Sequence, residues 1–428
     1  MASVEERVAR LQEDIRLRHL QQLEKIPVST EKRVSNNSPW RLPSYYQYME
    51  KWSLKAKDHI HAAIDARATS DKDLSWDVGL YAFMESAAVY LRDWPTLFLA
   101  SQAARQGQSK EALELLSNSD AEIRKIASMW HPDLHYVTIC DLVEEHPDSD
   151  PTLDGPFCGA FFSSNPKTPF VGIVFKGTHV ESWEEMLVDL RYIPVESTGK
   201  HLWSTHVSQG VFATLFGPFP KLGGQTPFDY IQRVVSTITA SNGNVSTDVH
   251  LTGHSLGASY ATLCYAELLR LQLNPPTSPR PSNLRIRDLY TYGSPRVALG
   301  DFVDALSDAL DPEFEYPTSK SSTSSTSSFR ILTTADPVPL VPPALLTDPK
   351  FIHLDSAYRV STNAEPEPVD SERGTHPRPP LVPVFDMSSH TPFAYFDALY
   401  WTAGSRKGKV GMRVNDEKRE KQLKVGRV

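Results

Sequence analysis

The chain reads as an α/β protein: a mostly parallel central sheet, preceded by a helical N-terminal region. Three observations predict this. From about Leu134 onward, β-rich runs of strand length alternate with helical stretches. The first third carries helical patterns with almost no β-branched clusters, and a β run at Val249–Gly253 passes through a tight glycine-flanked turn straight into a helix former. Strands that alternate with helices imply a parallel sheet covered on both faces.

The elements follow in order. Residues 4 to 26 place Val4, Val8, Leu11, Ile15, Leu20, Leu23 and Ile26 at mostly three- and four-residue intervals before Pro27, which is an amphipathic helix. Such a helix either docks on its own core or serves as a membrane-surface or partner-binding arm. From Tyr45 to about Trp130 helical patterns continue, with good formers in Lys110–Leu116 and Gly79–Trp94. HYVTICDL, FCGAFFSS and FVGIVFKG then read as strands, as do VHLTG, DLYTYG and FRILTT further on, with ASYATLCYAELLRLQ a helix between. Two low-complexity inserts, Pro317–Ser328 and Glu365–Pro383, are too polar or too Pro-rich to order themselves and are expected to be mobile surface loops. The resulting division is a helical region over 1–133, an α/β domain over 134–401 and a basic tail over 402–428.

Composition narrows the function classes. Of 428 residues, 40% are hydrophobic and 22% charged, close to globular averages. The 44 Lys and Arg against 52 Asp and Glu give −8, which argues against a nucleic-acid partner. That balance is uneven along the chain. Arg406–Arg427 holds nine basic and three acidic residues, leaving 35 basic and 49 acidic, or −14, on the remainder. Most such tails are solvated, and contact with an anionic membrane is the second reading. No run resembles a membrane span, and the charged N-terminus argues against a secretory signal, so the expected location is cytoplasmic or peripheral to intracellular membranes. Cys140, Cys158 and Cys264 suit neither a disulfide framework nor a metal site and read as small buried groups.

The sharpest chemical signal is Gly253-His254-Ser255-Leu256-Gly257. A serine hydroxyl becomes a nucleophile when a tight strand-to-helix turn lifts it to where a base can reach it, with the helix N-terminus facing the developing negative charge. The turn crowds its neighbours, hence glycine two residues on either side.

VHLTGHSLGASYA, followed by DLYTYGSPRVALGD and TADPVPLVPP, resembles the class 3 lipase family, the fungal-lipase-like branch of the α/β-hydrolases. The likeness covers roughly Leu134 to Trp401. It implies hydrolysis of an acyl ester of a lipid by a Ser-Asp-His triad, with no metal or organic cofactor. In this fold the acid and then the base follow the nucleophile in chain order. Asp336, directly after FRILTT and ahead of Pro337 and Pro339, is the acid; Asp301, Asp304 and Asp308 lie in a helical pattern and read as solvated charges. Among the later histidines, His376 falls in the Pro-rich insert and His353 sits in a β pattern as a structural group. His390, opening an aromatic-rich helical segment, matches the family's late histidine and is the base.

Oxyanion donors are the backbone N–H of Leu256 and a group at Gly177-Thr178, in the loop after FVGIVF. Lys176 stands where the family usually has Arg, so the buttress of that loop is expected to differ. After Thr178, Trp183, Met186, Leu187 and Leu190 share one helical face, with Asp189 on the same helix. By periodicity the face is core; by the resemblance it is a lid over the acyl pocket. Gly210 matches a family turn ahead of the long helix before the nucleophile strand. The partners implied are a lipid or acyl ester substrate and peripheral contact with a membrane or lipid droplet; the oligomeric state is left open. Within the same chemistry, a phospholipid sn-1 ester or a phenolic-acid ester is the alternative substrate, and a catalytically idle scaffold is the alternative class.

Overall fold

The computed structural model describes residues 4–25, 44–70, 73–141, 157–177, 193–197, 201–218, 224–243, 245–274, 283–311, 326–342, 349–354, 356–369 and 386–405. Eight strands form one sheet: β1 (Leu134–Asp141), β2 (Phe157–Ser163), β3 (Phe170–Phe175), β6 (Thr247–His254), β7 (Leu284–Tyr292), β8 (Ser327–Thr333), β9 (Ala357–Val360) and β10 (Glu367–Val369), side by side in that order. β3 through β9 pair in parallel, while β1, β2 and β3 at one end and β9 and β10 at the other pair antiparallel. β4 (Pro194–Glu196) and β5 (His206–Ser208) make a separate ribbon. This is the α/β-hydrolase arrangement, with β6, the strand that leads into Ser255, inside the parallel region.

Side chains alternate between two covered faces, as a strand's period of two requires. On β3, Val171, Ile173 and Phe175 join one cluster; they pack with α8 (Gln209–Phe216), α9 (Pro227–Ser241), α10 (Leu256–Leu273) and α11 (Gly300–Leu310). Phe170 and Val174 join the other, which holds α2 (Ser44–Lys55), α3 (Lys57–Asp65), α4 (Trp76–Ala88), α5 (Trp94–Arg105), α6 (Ser109–Asn118), α7 (Ala121–Trp130) and α12 (Pro392–Ser405). The helices of the first third therefore supply one wall of the sheet. α4 is buried all round, from Val78 to Ala88, as a helix enclosed on every side must be.

Local signals account for several boundaries. α9 begins at a capping box, Thr226 and Asp229 bonding each other's backbone, with Pro227 at the first helical position. The helical run expected over Gly79–Trp94 is instead divided: α4 ends at Ala88, a 3₁₀ turn covers Val89–Leu91, and Asp93 caps α5 by accepting from the Thr96 N–H at 3.2 Å.

The N-terminal α1 (Val4–Lys25) docks on the molecule's own core. Leu11, Ile15, Leu20 and Leu23 are buried, and the Gln12 amide donates to the Tyr136 carbonyl at 2.9 Å, occupying an acceptor of edge strand β1. His19 lies 2.7 Å from Asp141, which Arg92 also bonds at 3.1 Å. Burial alone would raise the Asp141 pKa, but Arg92 and His19 hold it below the usual carboxylate value.

Two loop expectations are corrected. Ser327 and Ser328 belong to β8, paired with Asp288 and Leu289 and buried, because an adjacent strand satisfies a backbone whatever the side-chain composition. Glu367–Val369 forms β10 against β9, and Pro368 is tolerated there because the strand is at the sheet edge. The β pattern around His353 also resolves differently: the strand begins at Ala357, and Ile352 makes only an isolated bridge to Ala298. Among the described residues no helix is long and apolar enough to cross a membrane. The three cysteines are free and buried, and burial raises the Cys158 and Cys264 thiols well above the usual value.

Candidate active site

β6 is buried along all eight residues and delivers Ser255 to its carboxyl end, directly ahead of α10. Ser255 adopts φ 59° and ψ −133°, a conformation costing an ordinary residue about 1–3 kcal/mol. Its N–H is held by the Tyr292 carbonyl at 2.9 Å, and its own carbonyl accepts from Ala258 at 3.0 Å. The flanking glycines are steric requirements. A Cβ on Gly257 would stand 2.3 Å from the Phe175 carbonyl oxygen, and one on Gly253 2.3 Å from that of Gly257. Leu256 is the first residue of α10, where a helix leaves its N–H groups without intrahelical partners.

Asp336 lies just past β8 and is almost wholly enclosed. Both its carboxylate oxygens face His390 Nδ1, at 2.9 and 3.0 Å. Three further contacts hold the pair. Tyr395 donates its hydroxyl to Asp336 Oδ2 at 2.6 Å, the Val338 N–H donates to Oδ1 at 2.9 Å, and Thr333 donates to the Ser389 carbonyl at 2.6 Å. His390 closes the 3₁₀ turn Met387–His390, and its buried Nε2 has no hydrogen-bond partner. Gly293, just after β7 with φ +57°, packs against both groups: a Cβ there would fall 2.7 Å from Asp336 Oδ2 and 2.9 Å from the His390 ring.

The residue before Ser255 joins this assembly. The His254 ring stacks on that of His390, with centroids 4.6 Å apart and planes inclined by 26°. Its Nε2 lies 2.9 Å from the His390 carbonyl, and its Nδ1 lies 2.9 Å from the Tyr90 hydroxyl. A carbonyl only accepts, so Nε2 carries the proton. Burial, and then the neighbouring His390, pushes the His254 pKa well below its ordinary value. The ring is therefore neutral, and Nδ1 accepts from Tyr90.

At the end of β3, Lys176 is buried and donates to the Gly177 carbonyl at 3.1 Å. Its ammonium sits 5.2 Å from the Tyr90 ring centroid and 5.3 Å from that of Trp94, a cation–π geometry. The buttress here is thus a lysine against two aromatic rings from the first third of the chain.

The remaining sequence assignments divide as follows. Thr178, Trp183, Met186, Leu187, Leu190, Asp189 and His376 lie outside the described residues. His353 is buried and donates from Nε2 to the Pro339 carbonyl at 2.6 Å. Asp301 caps its surroundings, bonding the His206 ring at 2.7 Å, and Asp304 and Asp308 are exposed on α11. Gly210 is the second residue of α8. Sequence reasoning missed four residues. Gly293 and Tyr395 had a local signal, lying inside or beside quoted motifs; Tyr90 and Trp94 had none.

The site thus combines a buried acid–imidazole pair with a serine held on a strained strand-to-helix turn of an α/β fold. Residues 172–346 match the family model for lipase (class 3). The structure is similar to the Rhizomucor miehei lipase propeptide complex (21% identity, 62% of this chain and 70% of that one, TM-score 0.38). It is also similar to the lipase from Rhizopus microsporus var. chinensis (17% identity, 76% and 89%, TM-score 0.37). A third is Lip2 lipase from Yarrowia lipolytica (17% identity, 54% and 66%, TM-score 0.35). No curated protein sequence matches the chain.

Proposed function

We propose that the protein is a serine carboxylester hydrolase that cleaves acyl esters of lipids, of the triacylglycerol or diacylglycerol kind, through Ser255, His390 and Asp336. The observation that carries this reading is the state of His390: Nδ1 is held by both Asp336 oxygens while the buried Nε2 has no partner. An imidazole so fixed presents a basic nitrogen to an incoming proton.

Ser255 Oγ attacks the ester carbonyl carbon as its proton passes to His390 Nε2, and Asp336 stabilises the imidazolium. The tetrahedral oxyanion is met by the Leu256 N–H, with Thr178 as the second donor assigned from the sequence. His390 returns the proton to the departing alkoxide as the ester C–O bond breaks, leaving an acyl-serine. Water, deprotonated by His390, attacks the acyl carbon; the acyl C–Oγ bond then breaks, His390 returns the proton to Ser255 Oγ, and the carboxylic acid leaves.

The test is turnover of p-nitrophenyl acyl esters, then a profile over short- and long-chain acylglycerols, phospholipids and phenolic-acid esters. Ser255→Ala should lower kcat/KM by about 10⁴-fold or more. Equal turnover by the mutant overturns the reading. A wild type inert on every ester, its Ser255 unlabelled by a fluorophosphonate, points to the scaffold class. Activity on phospholipid sn-1 or phenolic-acid esters alone reassigns the substrate, and a sharp rise above the substrate's solubility limit supports the lid.

A further inference from the structure

The N-terminal helical layer reaches the proposed catalytic residues at Phe83 of α4, whose ring centroid lies 6.4 Å from that of His254, and through hydrogen bonds at Tyr90, in the 3₁₀ turn after α4. Its hydroxyl lies 2.9 Å from His254 Nδ1 and also accepts from the Gly177 backbone N–H. Gly177 is pressed against the nucleophile's turn, where a Cβ on it would stand 2.7 Å from that hydroxyl, 2.6 Å from the His254 carbonyl oxygen and 2.9 Å from the Ser255 Cβ. His254 in turn donates to the His390 carbonyl and stacks on its ring. One phenol oxygen thus connects three chain segments: the end of β3, the elbow and the loop of the base.

We propose that Tyr90 is a positioning residue for hydrolysis. It holds the His254 ring as a fixed, neutral plate behind His390 and locks the end of β3 against the nucleophile's turn. The inference rests on the hydrolase reading above and adds to it a residue from outside the lipase motifs. The donor order is determined by chemistry. The His390 carbonyl can only accept, which sets the proton on His254 Nε2; Nδ1 then takes the Tyr90 proton, leaving the phenol oxygen to accept from Gly177. A charged His254 this close would oppose the imidazolium that forms on His390 during catalysis, so a neutral ring is what the chemistry requires. Glu85, Asp288 and His250 belong to other contacts, pairing on α4, β6 and β7 away from this ring.

The test compares the full-length wild type with Tyr90→Phe, His254→Gln, His254→Leu and Ser255→Ala. It reads kcat and KM separately, melting temperature, and the imidazole ¹⁵N resonances of His254. Tyr90→Phe should lower kcat about tenfold with KM within twofold, because misorientation is felt in the transition state rather than in binding. Gln can place an amide N–H where Nε2 stood, so His254→Gln should retain clearly more kcat than His254→Leu at comparable melting temperatures. In the wild type His254 should show a protonated Nε2 and a bare Nδ1, and in Tyr90→Phe the Nδ1 signal should move toward that of an unbonded ring nitrogen. An active wild type whose Tyr90→Phe variant keeps its kcat, or a His254 protonated at Nδ1, overturns this role alone. A wild type without Ser255-dependent turnover overturns the hydrolase reading and this role together.

Discussion

At the scale of single residues, the site depends on where side chains are missing as much as on where they stand. Gly293 leaves the space into which the Asp336 carboxylate and the His390 ring close on each other, at a positive φ that L residues rarely adopt. Gly293→Ala should lower kcat on the order of 100-fold by displacing acid from base, with KM little changed; steady-state kinetics checks it, and an unaltered kcat would mean the contact is slack. The turn at Ser255 and the pairing of Asp336 with His390 were legible in the sequence because each residue lies in a local pattern: an elbow pentapeptide, a carboxylate after a strand, a histidine opening a helix. Tyr90 was not legible. It touches the site 164 positions along the chain from its partner, and nothing in the residues around it records that contact.

Between elements, the face of the sheet that carries α4 is unusually polar for a core. Glu85 meets His250 at 2.6 Å, and Asp288 accepts from the Ser70 N–H at 2.7 Å and the Tyr290 hydroxyl at 3.0 Å, joining β7 to the segment between α3 and α4. Burial is the main cause that raises the Asp288 pKa, to about 6. The folded state therefore binds this proton more tightly than the unfolded chain does. The stability this gives is full below about pH 4, the value of a free carboxyl, and is lost as the pH rises to about 6. Asp288→Asn should flatten that loss, worth on the order of 3 kcal/mol, in melting curves recorded from pH 4 to 8; a wild-type slope in the variant would assign it elsewhere. The same buried face explains why α4 looked like part of a separate helical region. Amphipathic periodicity marks a helix with one wet side, and a helix enclosed all round has none to report.

For the whole molecule, the division into a helical region and an α/β domain describes the sequence better than the packing. α2 to α7 cover Phe161, Phe170, Val174, Tyr290, Tyr292, Phe329 and Ile331, which form the inner surface of the sheet on that side. Removing residues 1–133 should leave this surface bare and yield an insoluble chain whose Ser255 no longer reacts with a fluorophosphonate. Recovery of a soluble, reactive fragment would show that the remaining residues cover the face themselves. β1, β2, β3, β6, β7 and β8 were legible from β-rich runs, whereas β4, β5 and β10 were not. Which helices covered which face was not, because that depends on contacts between segments far apart in the chain.

The hydrogen bonds of His254 also carry a consequence for synthesis. Its two partners lie 164 residues upstream and 136 downstream. During translation at ~5–20 residues per second, the elbow histidine emerges with Tyr90 already made and then waits on the order of 10 s for the His390 loop to leave the ribosome. Contacts this distant in sequence close late. A nascent chain would hold Ser255 on its turn before His390 exists, so the proposed hydrolytic competence would arrive as one of the last events of folding.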